Sequence, residues 1–225
     1  MSEKQNYLRQ IEKFYNGSLK SNQVIKIGNT PEYLIRLGAK PLSIVMKQST
    51  LAKCIRKPKG SKSAHDLDRT IIETLPDQLL SPILVVNEAE RKSFAIITDY
   101  KDKNGNNMLI ALKLESNVQN MTVNEIASFY GRNNLEVYLN KHRKTNIHII
   151  DNKKAKTLAS LLRLQLPTTL QEFDYKNNIS LQNESVNSKF SVLEKLCENR
   201  QKVDFSKNSS KTYDKHQQKD QRNER

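Results

Sequence analysis

Residues 93–114 read SFAIITDYKDKNGNNMLIALKL. Apolar side chains alternate with others at a period of two over 93–100 and again over 108–114, and the link Lys103-Asn104-Gly105-Asn106 has the composition of a tight turn. So short a link forces the two runs to lie antiparallel. Working backward, 83–87 is a third strand, joined to the hairpin through Glu88-Ala89-Glu90-Arg91. Working forward, 122–130 is a further extended run ending at Gly131, 135–141 a short helix, and 147–151 a last strand. The middle of the chain is therefore a meander.

Upstream the period is helical. Leu8, Ile11, Phe14 and Tyr15 recur at three- and four-residue spacing until Asn16-Gly17 breaks the pattern, giving a helix over 1–20. A brief strand at 24–27 precedes a helix that Thr30 caps and Pro31 opens, with Tyr33, Leu34 and Leu37 facing inward up to Gly38. A strand at 42–46 is followed by a helix that Ser49 or Thr50 caps and that carries Leu51, Cys54 and Ile55. Ser63-Ala64-His65-Asp66 then opens another helix, with Leu67, Ile71, Ile72 and Leu75 as its stripe and a stop near Pro76. This places His65 in a first helical turn.

The expected fold is α+β, with N-terminal helices packed on a four- to five-stranded antiparallel meander. The expected division is an N-terminal helix (1–21), an α+β domain (22–173) closed by Leu158, Leu161, Leu162, Leu164 and Leu166, and a polar basic tail (174–225). Apart from Phe190, Val192, Leu193 and Leu196 that tail has few apolar residues, so disorder is expected there.

The 225 residues carry 38 Lys+Arg against 24 Asp+Glu, a formal charge of +14. With 27 Lys and 23 Asn, part of that charge is a compositional bias, and only clustering points to a polyanionic partner. Two clusters qualify. Residues 53–62, KCIRKPKGSK, hold five cations and no anion; residues 141–156, KHRKTNIHIIDNKKAK, hold six cations, two histidines and one Asp. Lys53, Arg56, Lys57, Lys141 and Arg143 are accordingly candidate phosphate contacts. No apolar run is long enough to cross a bilayer and the N-terminus has no apolar signal core, so a soluble protein with no membrane partner is expected. Cys54 and Cys197 have neither metal-ligand nor disulfide-framework spacing.

Walker, GxGxxG, GxSxG and HExxH patterns are all missing, leaving scattered side chains to carry any chemistry. His65, beside a basic run and at a helix start, has its pKa lowered and is a candidate base; the plainer reading is a histidine exposed at a helix start. Ser128 and Tyr130, two apart in a strand, share a face with Ile126 beside them, a pair of hydroxyls fit for a phosphate or an ordinary polar sheet face. Thr98 and Lys113 are candidates to reach that face, Thr98 as a hydrogen-bond donor and Lys113 as a neutralising charge. His142 or His148 is a candidate proton donor to a leaving oxygen. No carboxylate set suggests a metal, and no cofactor is expected.

The ordered succession LIRLG, LSIVMKQS, SAHDL, TLPDQLLSPILV, SFAIITDYKDKNGNNMLIALKL, NEIASFYG and NIHII resembles the MuF C-terminal domain of phage and mobile-element polyvalent proteins and polymorphic toxins, over residues 24–150. That family is placed in a superfamily of barnase, EndoU, colicin and RelE type nucleases, with helices followed by an antiparallel meander. The resemblance implies functional roles for Gln48, His65, Thr98, Ser128 and Tyr130. It implies a metal-independent endoribonuclease in which a histidine takes the proton of a 2′-hydroxyl and a 2′,3′-cyclic phosphate forms. RNA, with tRNA as one structured target, would be the partner, along with an acidic immunity or antitoxin protein. The setting would be the cytoplasm of a bacterium, with the chain phage- or host-encoded or delivered into a target cell. The competing class is a non-catalytic nucleic-acid-binding accessory protein of a mobile element.

Overall fold

A computed structural model describes residues 1–59, 64–142 and 147–164. The elements in chain order are α1 (Glu3–Tyr15), β1 (Ile25–Asn29), α2 (Glu32–Arg36), β2 (Ser43–Met46), α3 (Gln48–Ile55), α4 (Arg69–Glu73), α5 (Leu75–Leu80), β3 (Leu84–Glu88), β4 (Ser93–Lys101), β5 (Asn107–Val118), β6 (Met121–Gly131), α6 (Leu135–His142), β7 (Ile147–Ile149) and α7 (Asn152–Leu161). The α+β class holds, but the sheet is wider than the sequence suggests. It has seven strands in the order β1-β2-β6-β5-β4-β3-β7, and β2 runs parallel to β6. The meander β3–β6 forms its centre; the β1–β2 pair extends one edge and β7 the other.

Alternation along the central strands builds two apolar layers, one on each face. Phe94 and Ile96 of β4, Ile110 and Leu112 of β5, and Phe129 of β6 pack with Tyr7 and Ile11 of α1, Leu51 and Cys54 of α3, and Leu75 of α5. On the other face Ala95, Ile97 and Leu109 pack with Leu135 and Leu139 of α6 and Leu158 of α7. Cys54 donates its thiol to the Phe129 carbonyl at 3.3 Å, and burial pushes its pKa up to about 11, so it is a packed, unreactive thiol. Cys197, the tail and its 190–196 cluster lie outside the described residues.

β5 and β6 reach further than their apolar alternation. They meet at a two-residue turn, Gln119-Asn120, in which both residues have positive φ (52° and 62°), the geometry that matches strand twist in a hairpin. Between Lys113 and Ser116 the register shifts at Glu115, whose φ is +51°, so one extra residue is absorbed there as a bulge. Buried Asn124 then ties the two halves of the sheet. It donates to Thr30 Oγ1 (2.8 Å) and the Lys40 carbonyl (3.1 Å), and accepts from the Glu115 N–H (3.1 Å).

The segment around His65 departs from its expected conformation. Residues 64–68 are not helical; α4 begins only at Arg69, and Pro76 sits in the first turn of α5 where it was expected to end a helix. The cause is tertiary. The last carbonyls of a helix have no intrahelical partner, and at the end of α3 the carbonyls of Lys53, Cys54 and Arg56 accept the N–H groups of His65, Leu67 and Asp66 at 3.2, 2.9 and 3.1 Å. These bonds hold the segment, with Asp66 at φ +50°, against the end of α3.

Candidate functional site

β2 pairs with β6 only as far as Met46 opposite Ile126, because the chain then turns into α3. From Ala127 to Gly131, β6 therefore has β5 on one side and, among the described residues, no strand on the other, an open edge. Opposite Ala111 and Leu112 its register slips by one residue, leaving exposed Ala127 as a bulge. The bulge separates Ile126 from its expected neighbours: Ile126 joins Phe129 in the α1/α3 layer, while Ser128 and Tyr130 lie on the opposite face, paired with Ala111 and Leu109.

The α3-bound segment brings His65 to this open edge. His65 Nε2 is 3.2 Å from Ser128 Oγ, and its ring stacks on Tyr130 with centroids 4.9 Å apart and planes at 20°. In the tautomer with hydrogen on Nε2, that nitrogen donates to Ser128 Oγ, which leaves Nδ1 unprotonated and the Ser128 hydrogen free for a ligand. Burial, with a smaller push from Lys53, lowers the His65 pKa to about 4. The direction matches the sequence expectation but the main cause differs, since no helix begins at His65 and desolvation dominates. At neutral pH the imidazole is uncharged, hence able to take a proton.

That shift links to stability. An unfolded chain, with His65 at its ordinary 6.5, binds more protons than the folded one, where the value is about 4. The stabilisation is complete above the upper value and is lost as pH falls to the lower. The urea midpoint of the parent should therefore drop more steeply than that of His65→Asn on acidification from neutral pH to about 4; parallel curves would contradict the assigned environment.

The cluster continues past Tyr130. Arg132 Nη1 donates to Tyr130 Oη at 3.4 Å, and its guanidinium lies over the Tyr138 ring, 4.8 Å from the centroid. Tyr138 donates to Glu88 Oε1 (3.1 Å), Ser93 donates to Glu88 Oε2 (3.1 Å), and His142 packs against Tyr138 with ring centroids 4.7 Å apart. Burial, then Glu88, pushes the Tyr138 pKa well above that of a free phenol. Arg132 was missed in the sequence, although alternation through Ser128, Tyr130 and Arg132 carries the signal. Tyr138 and Glu88 come from other elements and leave no such trace.

Other sequence candidates lie elsewhere. Thr98 is fully buried and donates to Gln78 Oε1 of α5 at 3.0 Å, on the face opposite Ser128 and Tyr130, where alternation with Phe94 and Ile96 along β4 carries it. Gln48 donates to the carbonyls of Lys20 (2.7 Å) and Gln23 (2.8 Å), clasping a turn at the start of α3. Lys113 is exposed and two residues along β5 from Ala111, paired in register with Glu125, so it shares the sheet face without joining the cluster. Lys53 acts on His65 through its charge. The Arg56 carbonyl holds Asp66, Lys57 is exposed, and Lys141 is exposed on the last turn of α6. His148 pairs with Val85, which belongs to the α1/α3 layer. Arg143 and Lys62 lie outside the described residues. Among the described residues no group of three or more His, Cys, Asp or Glu side chains is placed to hold a metal ion, and no helix is long and apolar enough to cross a membrane.

A mixed sheet with an imidazole and two hydroxyls at an open strand edge is thus the framework of this α+β domain. Residues 56–157 match the family model for the phage MuF C-terminal domain. The matched segment begins later than the 24–150 resemblance and runs on through most of α7; it contains His65, Ser128, Tyr130 and Arg132 and leaves out Gln48 and Lys53. No curated protein and no solved structure matches the chain.

Proposed function

We propose that the protein is a metal-independent endoribonuclease of the toxin type, with RNA bound at the open edge of β6. The observation that supports this reading is the contact of one neutral imidazole with two hydroxyl-bearing side chains, His65 at 3.2 Å from Ser128 and stacked on Tyr130. His65 takes the proton from a ribose 2′-hydroxyl. The 2′-oxygen bonds to phosphorus, the bond from phosphorus to the 5′-oxygen breaks, and that oxygen takes a proton from water. Ser128 and Tyr130 donate to the oxygens on which negative charge builds, and Lys113 adds a longer-range positive field.

The nucleophile belongs to the substrate, so DNA is a ligand at most. Structured RNA such as tRNA is the class of target we favour, in the cytoplasm of a bacterial cell, and an acidic inhibitor would cover the basic site. Incubating the full chain with total RNA in excess chelator tests the reading. Cleavage is expected in the parent and loss of cleavage in Tyr130→Ala. Intact RNA with salt-sensitive binding would instead select the accessory-protein alternative.

A further inference from the structure

We infer that Arg132 is the ligand of the scissile phosphodiester, a catalytic role that rests on the ribonuclease reading and that the sequence assigned to Lys113 and the basic runs. Its charge meets no carboxylate among the described residues. Among the described residues Arg36 pairs with Glu32, and Arg69 with Glu12 and Glu73, whereas Arg132 has no carboxylate within ion-pairing distance. It is half-buried, and its Nε is shielded from solvent with no hydrogen-bond partner among the described residues. A guanidinium left in that condition costs folding stability, and what the site gains is an oriented cation.

The orientation is fixed from three sides. The Arg132 N–H donates to the Asn107 carbonyl at 2.8 Å, the Tyr138 ring lies against the guanidinium, and Glu88 holds Tyr138 by its hydroxyl. Arginine's planar fork suits two oxygens of one phosphate better than a point charge on a flexible stem does. Its placement relative to the imidazole is equally specific. Arg132 Nη1 donates to Tyr130 Oη, which leaves the Tyr130 hydrogen for a ligand, and Tyr130 stacks on His65. One non-bridging oxygen therefore meets Tyr130 and the other meets the Nη nitrogens, while the 2′-hydroxyl faces His65. Lys113, exposed on β5, has nothing comparable to hold it.

Titration of the full chain with inorganic phosphate, and separately with a 2′-O-methyl oligoribonucleotide that keeps the phosphodiesters and lacks the nucleophile, tests this at fixed low salt. Arg132→Gln should weaken both ligands by about tenfold or more. Arg132→Lys should fall between Gln and parent, His65→Ala should change affinity little, and thermal melts should show the variants folded. Binding unchanged in Arg132→Gln, binding of phosphate alone, or no binding by the parent would overturn the inference. Arg132-dependent binding of both probes without any RNA cleavage would keep Arg132 as a phosphate ligand and overturn its catalytic role together with the nuclease. Cleavage with binding and KM indifferent to Arg132 would keep the nuclease and overturn the inference.

Discussion

His65→Ala is expected to lower RNA cleavage by roughly 10²–10⁴-fold, the range in which positioned general bases contribute. Most of the loss should fall on kcat, because the imidazole acts on the reacting proton and contributes little to holding the chain of phosphates. The pH dependence identifies the group. With burial and Lys53 holding His65 at about 4 in the free protein, the acid limb of kcat/KM should sit near that value, well below the ordinary 6.5. Lys53→Met should move the limb upward, by less than the full shift, since desolvation is the larger cause. A limb near 6.5 that ignores Lys53, or parental turnover in His65→Ala, would remove His65 from the reaction.

The second large effect concerns the N-terminal helix. Tyr7 of α1 is fully buried, and its hydroxyl donates to the Ile72 carbonyl at 2.7 Å, next to Thr74, the junction between α4 and α5. Tyr7→Ala is expected to cost about 3–5 kcal/mol in urea unfolding, the range for deleting a buried aromatic ring, because it opens a cavity and removes a hydrogen bond to a helix-end carbonyl. Tyr7→Phe should cost about 1–2 kcal/mol, for the lost bond alone. Since α1 packs in the same layer as Phe94, Ile110 and Phe129, it is part of the core that supports the sheet. Near-parental stability in Tyr7→Ala would make it a detachable appendage.

How much of this could be read in advance depends on whether the deciding contacts are local. The β4–β5 hairpin was legible because strand period and an Asn-Gly turn are properties of adjacent residues. The β5–β6 turn was not, since Gln119 and Asn120 reach positive φ without a glycine. The parallel docking of β2 on β6 depends on residues some eighty apart in sequence, as in Ile44 opposite Asn124. His65 was read as helical because capping logic sees only its neighbours, and the carbonyls at the end of α3 decide otherwise.

The candidate site follows the same division. Ser128 and Tyr130 on one face came directly from alternation. The bulge at Ala127, which resets alternation without warning, removes Ile126 from that face, whereas Thr98 lies on the other by plain alternation with Phe94 and Ile96. Unbroken alternation from Ser128 would have reached Arg132. The Glu88–Tyr138 support joins β3 to α6 and has no local signature.

The most direct test of the central claim is mass analysis of the ends made from one defined oligoribonucleotide in chelator, beside a copy carrying a single 2′-deoxy sugar at the cleaved step. A 2′,3′-cyclic phosphate and a 5′-hydroxyl from the first, with the second left whole at that step, is the predicted result. Cleavage of the deoxy copy at the same bond, or 5′-phosphate ends from either, would contradict attack by the 2′-hydroxyl and with it the role assigned to His65.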